Sequence, residues 1–188
     1  MVPEDWLLGV IKPIYKNKGD PTNPENYRPI TLISCLGKLF TGILRNRLEI
    51  YAQDISLLKE NQIGFRKGFS TLGNILTLQF LSQSLLSNRK KLFCAFIDFK
   101  QAFDTVWRDG LWYKLIKSGI NGKCFDYIRN MYEGIKSLIR MNGRTTEFFN
   151  CNVGVRQGEN LSPFLFSLFV NDIEDFLIEK KCYWSLYN

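Results

Sequence analysis

The run KLFCAFIDF, residues 91–99, constrains the fold more than any other stretch of the chain. Between Lys91 and Asp98 every residue is apolar, with no polar alternation. A strand built from such a run is apolar on both faces and needs cover on both, as in the interior of a sheet flanked by helices. The neighbouring patterns offer helices. Leu36, Leu39, Phe40, Ile43, Leu44 and Leu48 recur at helical spacing, with Lys38, Arg45 and Arg47 off that stripe. Leu72, Ile75, Leu76 and Leu86 mark a second helix over 71–87, and residues 109–118 and 122–134 read as two more.

The remaining patterns are extended or turning. WLLGVIKPIY (6–15) and RPITLIS (28–34) flank the turn-rich KNKGDPTNPENY and predict a long basic hairpin. SLIRMNGRTTEFF (137–149) predicts a second hairpin about Asn142-Gly143, a strong two-residue turn signal. A last helix is predicted from about Leu161 to Glu179, with Ser162 and Pro163 where an N-cap and a first-turn proline belong. The fold class is therefore α+β.

Charge and residue types narrow the chemistry. Residues 1–150 carry 22 Lys or Arg against 13 Asp or Glu, whereas residues 151–188 carry 3 against 5. A basic body with a mildly acidic end fits a polyanionic partner on the earlier part, although an ordinary basic protein has the same arithmetic. The chain has no histidine, which excludes Ser-His-Asp and Cys-His chemistry and His-containing zinc sites. Catalysis would rest on carboxylates, Lys, Tyr or Cys, or on a metal held by oxygen. Five well-separated cysteines, with no C-x-x-C, predict free thiols in a reducing, intracellular compartment (nucleus, cytoplasm or both) and no disulfide partner. No apolar run approaches the ~20 residues of a membrane helix.

Two aspartates then stand out. Asp98, at the end of the predicted buried strand, needs a cation or several donors, because an unpaired buried carboxylate is costly. It reads either as a ligand for the Mg²⁺ of nucleotidyl transfer or as a cap on the following turn. Asp104 lies where the chain turns toward a helix, and reads as a structural helix-start carboxylate or as a second metal contact.

Four blocks in register resemble the reverse transcriptase domain of non-LTR retrotransposons of the long interspersed element type. They are residues 11–48, 61–71 (NQIGFRKGFST), 96–106 (FIDFKQAFDTV) and 155–173 (VRQGENLSPFLFSLFVNDI), covering nearly the whole chain. The resemblance implies the fingers and a partial palm of a right-hand polymerase, residues 1–90 mainly fingers and 91–188 mainly palm, with the palm incomplete and no thumb. It implies RNA-directed DNA polymerase activity: two-metal transfer from a dNTP onto a primer 3′-OH, with Mg²⁺ or Mn²⁺ as cofactor, and an RNA template and DNA primer as partners.

Residue by residue, the resemblance puts the first catalytic, metal-binding aspartate at Asp98 and the second metal beside the Phe99 backbone. Gln101, Ala102, Phe103, Gln157, Gly158 and Arg28 fall in the dNTP site. Phe103 is either the ring that excludes a ribose 2′-hydroxyl or plain core. Gly158 permits close backbone approach. Lys12, Lys16, Arg66 and Lys67 fall where template or phosphate would be contacted, with solvated surface charge as the alternative reading. Asp104 is not among the family's metal ligands.

Two departures bear on activity. At Gly73 the family usually carries a bulkier polar residue. The family's second and third catalytic aspartates form an Asp-Asp pair beyond the fourth block, and this chain contains no such pair and ends KKCYWSLYN. The expectation is a chain inactive by itself, with exposed apolar palm surface and poor solubility. The alternative is a non-catalytic nucleic-acid-binding remnant.

Overall fold

The computed structural model describes residues 2–180. A single helical turn, α1 (Glu4–Leu7), leads into strand β1 (Leu8–Tyr15), which pairs antiparallel with β2 (Tyr27–Leu32) from Val10↔Leu32 to Tyr15↔Tyr27. The predicted basic hairpin is present. Its tip is fixed by side chains that replace missing ladder bonds: Asp20 accepts from the Thr22 amide at 2.8 Å and Asn23 from the Glu25 amide at 3.0 Å. A 3₁₀ turn, Pro24–Asn26, returns the chain to β2.

β1 has a second neighbour. Leu8–Ile11 pair in parallel with the start of β3 (Lys136–Met141), from Leu8↔Lys136 to Ile11↔Ile139. That ladder stops before Pro13, which has no N–H to donate and faces Pro29 on the other side. β3 turns back through Asn142 and Gly143, whose φ values of 51° and 76° are those a tight hairpin turn demands. The return strand is in two pieces, β4 (Arg144–Thr145) and β5 (Phe149–Asn150), both antiparallel to β3. Between them the Thr146 hydroxyl accepts from the Ile139 amide at 3.0 Å, so a side chain carries the ladder across the gap. The result is a mixed sheet in the order β2-β1-β3-β4.

The helices form largely where periodicity predicts them. They are α2 (Cys35–Asp54), α3 (Thr71–Ser87), α4 (Arg108–Lys117) and α5 (Gly122–Tyr132). The phase of α2 differs from expectation. Gly37, Thr41, Leu44, Leu48 and Ala52 face inward, while Leu36, Leu39 and Ile43 face solvent. The cause is Trp6, whose ring lies so close to Gly37 that an added Cβ would sit 3.2 Å from it. Small residues at 37 and 41 let the first turns of the helix approach on that face, and Leu36, Leu39 and Ile43 are turned outward.

Three expectations are corrected. Residues 91–99 form no strand, and all but the half-buried Leu92 lie exposed, with Phe93 and Phe96 more than four-fifths accessible. A strand exists only through pairing, and none of the described strands pairs with this segment. The last helix is two: α6 (Ser162–Phe169) and α7 (Ile173–Glu179). At the break the Asn171 side chain leaves the helical direction, its Oδ1 accepting from the Lys59 amide at 2.9 Å and its Nδ2 donating to the Leu57 carbonyl at 3.0 Å. Finally, Ser162 is not the N-cap of α6. Leu161 occupies that position, and the Ser162 hydroxyl points into the protein. The terminal YWSLYN and Cys182 lie outside the described residues.

The core lies where α4, α5 and α6 meet the C-terminal half of α2 and the entry to β3. Leu111, Leu115, Ile128, Leu161 and Leu165 are fully buried there. α3, by contrast, buries none of its side chains.

Candidate functional site

Beyond Ile11↔Ile139 strands β1 and β3 no longer pair, and a cleft of about 610 Å³ opens between them. Its apolar floor includes Ile11, Pro13, Ile139 and Met141. The hairpin supplies Lys16, Glu25, Tyr27 and Arg28 to one wall, and the opposite wall is Gln101, Ala102, Asp104 and Gln157. An apolar slot with a few convergent polar and charged groups is the usual form of a small-molecule site.

The opposite wall is built from two tight backbone features. Gln101 sits at φ 54°, in the left-handed region that non-glycine residues seldom adopt. Its carbonyl is held in return: the amides of Asp104 and Thr105 donate to it at 2.9 and 3.1 Å, and the Thr105 hydroxyl donates at 3.1 Å. This turn sends Ala102 and Asp104 to the cleft and Phe103 to the other side. There the Phe103 ring stacks on Phe166, centroids 5.2 Å apart, and meets the edge of Phe65 at 5.8 Å. The second feature is Gln157-Gly158. The Gln157 carbonyl accepts from the Thr31 amide at 2.9 Å, and Gly158 lies so near β2 that a Cβ would fall 2.7 Å from the Thr31 carbonyl oxygen. With φ at 104° as well, position 158 requires glycine.

Behind Gln157 lies a buried polar network. The Arg156 side chain points inward, donating to the carbonyls of Trp6 at 3.0 Å and Met131 at 3.2 Å, and its guanidinium is 3.6 Å from the Glu159 carboxylate. Glu159 Oε2 accepts from the Tyr132 hydroxyl at 2.8 Å, and that hydroxyl is 3.1 Å from Ser162 Oγ. Burial holds the Glu159 carboxyl above the usual carboxylate range, opposed by the charge of Arg156. Burial, and then the charge of Glu159, push the Tyr132 hydroxyl well above its ordinary value. Arg108 joins the same region to the loop before the site, donating to the carbonyls of Gly154, Tyr132 and Val153 at 2.9, 2.8 and 3.2 Å. Nothing in the local sequence marks these contacts, since they link positions up to 150 apart.

This arrangement can be set beside known proteins. Residues 14–188 match the family model described as reverse transcriptase (RNA-dependent DNA polymerase). The chain belongs to the reverse transcriptase family. It is 32% identical over 171 residues to a probable RNA-directed DNA polymerase from transposon BS of Drosophila melanogaster, covering 91% of this chain and 19% of the relative. To the corresponding protein from transposon X-element of the same fly it is 31% identical over 173 residues, covering 91% and 19%. A retrovirus-related Pol polyprotein from type-1 retrotransposable element R2 of Popillia japonica is 34% identical over 173 residues, covering 92% and 24%. These relatives are retrotransposon proteins, in accord with the resemblance read from the four blocks, and the chain spans about a fifth of the length of the first two.

In this reverse transcriptase domain the predicted residues fall into groups. Arg28, Lys16, Gln101, Ala102 and Gln157 meet at the cleft, and Gly158 backs it. Phe103 is beside the cleft but turned into the aromatic cluster. Lys12 is exposed on β1 and is not a lining residue. Arg66 donates to the carbonyls of Lys59 and Gln62 at 3.1 and 3.3 Å and covers the Phe69 ring, and Lys67 is exposed beside it. Asp98 and Phe99 are exposed on the unpaired 91–99 segment, so the buried carboxylate that the strand implied is absent. Asp104 does not start a helix: α4 begins four residues later, after Trp107, and the Asp104 Oδ2 accepts from Gln157 Nε2 at 3.0 Å.

The residues present do not make up a metal site. A Mg²⁺ ion takes six oxygen ligands in near-octahedral array. Among the described residues no three His, Cys, Asp or Glu side chains gather to hold an ion, and Asp98 offers one carboxylate alone. The four described cysteines are free thiols, and no described helix is long and apolar enough to cross a membrane. Sequence reasoning missed Glu25, Ile139 and Met141 in the cleft and the whole of the Arg156–Glu159 network. The cleft residues come from elements whose pairing only the fold defines.

Proposed function

We propose that this chain is part of an RNA-directed DNA polymerase of retrotransposon origin and that its cleft receives the incoming dNTP. One observation carries the reading: the cleft brings Lys16 and Arg28 from the hairpin against Gln101, Ala102 and Gln157 from two other parts of the chain. Cations on one wall suit a triphosphate, and Arg28 offers it a planar fork of donors. The apolar floor suits base and sugar. Phe103, turned away from the cleft onto Phe166 and Phe65, braces Ala102 from behind, and this reading gives it the plain-core role rather than that of a sugar gate. Lys12, Arg66 and Lys67 contact template phosphates, and the partners are an RNA template and a DNA primer, in the nucleus or cytoplasm.

A divalent ion, if bound, would supply neutralising charge to the triphosphate and acidify the primer hydroxyl. Asp98 and the Phe99 backbone are the residues that would hold such an ion, and the described residues alone do not complete its ligand set. By itself the chain does not extend a primer, a reading supported by Asp98 having no cluster of carboxylates gathered about it among the described residues. Equilibrium binding of dTTP tests the cleft: Arg28→Ala is expected to weaken it at least tenfold, and an unchanged affinity would remove Arg28 and the cleft from this role. Primer extension by the purified chain on an RNA template, lost on Asp98→Ala, would overturn the inactivity.

A further inference from the structure

Gln157 meets the cleft through a long amide side chain whose orientation its backbone contacts do not set. Its backbone is already fixed. Its carbonyl accepts from Thr31, and the preceding loop is joined to the 103–106 segment by the Gly154 amide donating to Val106 at 2.9 Å and the Val155 amide to Phe103 at 2.7 Å. The side chain, with three rotatable bonds and an amide whose two ends have opposite hydrogen-bonding character, is not fixed by any of this. What holds it is Asp104, whose carboxylate accepts from the Gln157 Nε2 at 3.0 Å across the wall. Among the described residues this amide is the one hydrogen-bond partner of that carboxylate.

We propose that Asp104 is the positioning residue for Gln157, deciding which end of the amide meets the nucleotide. A carboxylate accepts only, so it takes an N–H of the amide and turns the Oε1 and the second N–H toward the cleft. The geometry explains why the carboxylate stands on this wall at all. Lys16 and Arg28 are on the hairpin wall, where Glu25 is paired with Lys100 at 3.2 Å, and an acid facing the triphosphate would oppose binding unless occupied. Half-buried and engaged with Gln157, Asp104 orders a neutral contact group and leaves the phosphate-facing wall cationic. Its own turn is held by the left-handed Gln101, so the acceptor does not move with the ligand. The inference rests on the nucleotide reading of the cleft.

The test uses the full chain with dTTP and Mg²⁺ as the probe. Asp104→Ala and Gln157→Ala should each weaken dTTP binding by about tenfold, the scale of one charge-assisted hydrogen bond. The double variant should be no weaker than either, because the two act as one unit. Asp104→Asn keeps an acceptor oxygen and should recover most of the loss, which a fold defect would not; urea titrations of each variant separate the two. If Arg28→Ala weakens binding while Asp104→Ala does not, or if the two losses add, the positioning role is wrong and the cleft reading stands. If dTTP binds wild type and Arg28→Ala equally, or neither, the cleft reading itself fails and this role with it. A nucleotide-free measurement is independent of both: the side-chain ¹⁵N amide signal of Gln157, identified by its loss in Gln157→Ala, should shift on Asp104→Ala. A signal that stays in place overturns the contact.

Discussion

Two segments of similar composition behave in opposite ways. LSPFLFSL, residues 161–168, is closely packed: Leu161, Phe164, Leu165 and Leu168 are all buried against α4, α5 and α2. KLFCAFIDF is at least as apolar, yet Phe93, Phe96 and Ile97 are open to solvent, as are Leu72, Ile75 and Phe80 of α3. Hydrophobicity sets how much a segment gains by burial, and the gain is collected only where a second element offers a matching face. The region from Val106 to Phe169 has its partners within the chain. The region from Thr71 to Ile97 buries none of its side chains among the described residues, and Asp98 follows it directly.

The largest expected effect strikes the packed region at its polar centre. Glu159→Ala would leave the buried Arg156 without its counter-charge and should cost about 3–5 kcal/mol in urea unfolding. A loss below about 1 kcal/mol would show that the network is not a unit. Next in size, Leu165→Ala should cost about 3 kcal/mol, whereas Ile75→Ala should stay within about 0.5 kcal/mol. Equal losses at the two positions would erase the contrast between the regions, and would mean that α3 is packed in solution.

The smallest effect is a pH dependence. Burial raises the Asp104 carboxyl above its ordinary 3.8, with the Gln157 hydrogen bond acting the other way. The folded state therefore holds this proton more tightly than the unfolded state. Its contribution is present at acid pH and is lost as pH rises through the folded value. Asp104→Asn, which cannot ionise, should accordingly gain on wild type in stability as pH rises from about 3.8 toward neutrality. A gap that closes with rising pH would reverse the assignment.

What could be read from the sequence follows the same division. α3, α4 and α5 and the Asn142-Gly143 hairpin carry local signals, periodicity and turn chemistry, and all are present. Residues 91–99 carry a strand signal without a ladder to join, so composition alone misled. The break between α6 and α7 depends on Asn171 reaching the Leu57–Lys59 backbone, a contact across more than a hundred positions with no local signature. At the site, Arg28, Gln101, Ala102 and Gln157 were reached through the four-block resemblance, and the cleft brings them together. Asp104 was expected to serve its own neighbours as a helix start. Its partner is instead 53 residues away, and side-chain chemistry offers no rule for finding that partner before the sheet exists.

The parallel pairing of β1 with β3 also sets a timetable. Leu8 and Lys136 are partners about 130 residues apart in the chain, and such pairings are slow because a long loop must close first. During synthesis at ~5–20 residues per second, the start of β1 emerges roughly 6–26 s before its partner in β3. For that interval one edge of β1 has unmet backbone donors and acceptors, open to any extended segment that reaches it first. The cleft cannot exist until the wait ends, so its assembly is among the last events in making this part of the protein.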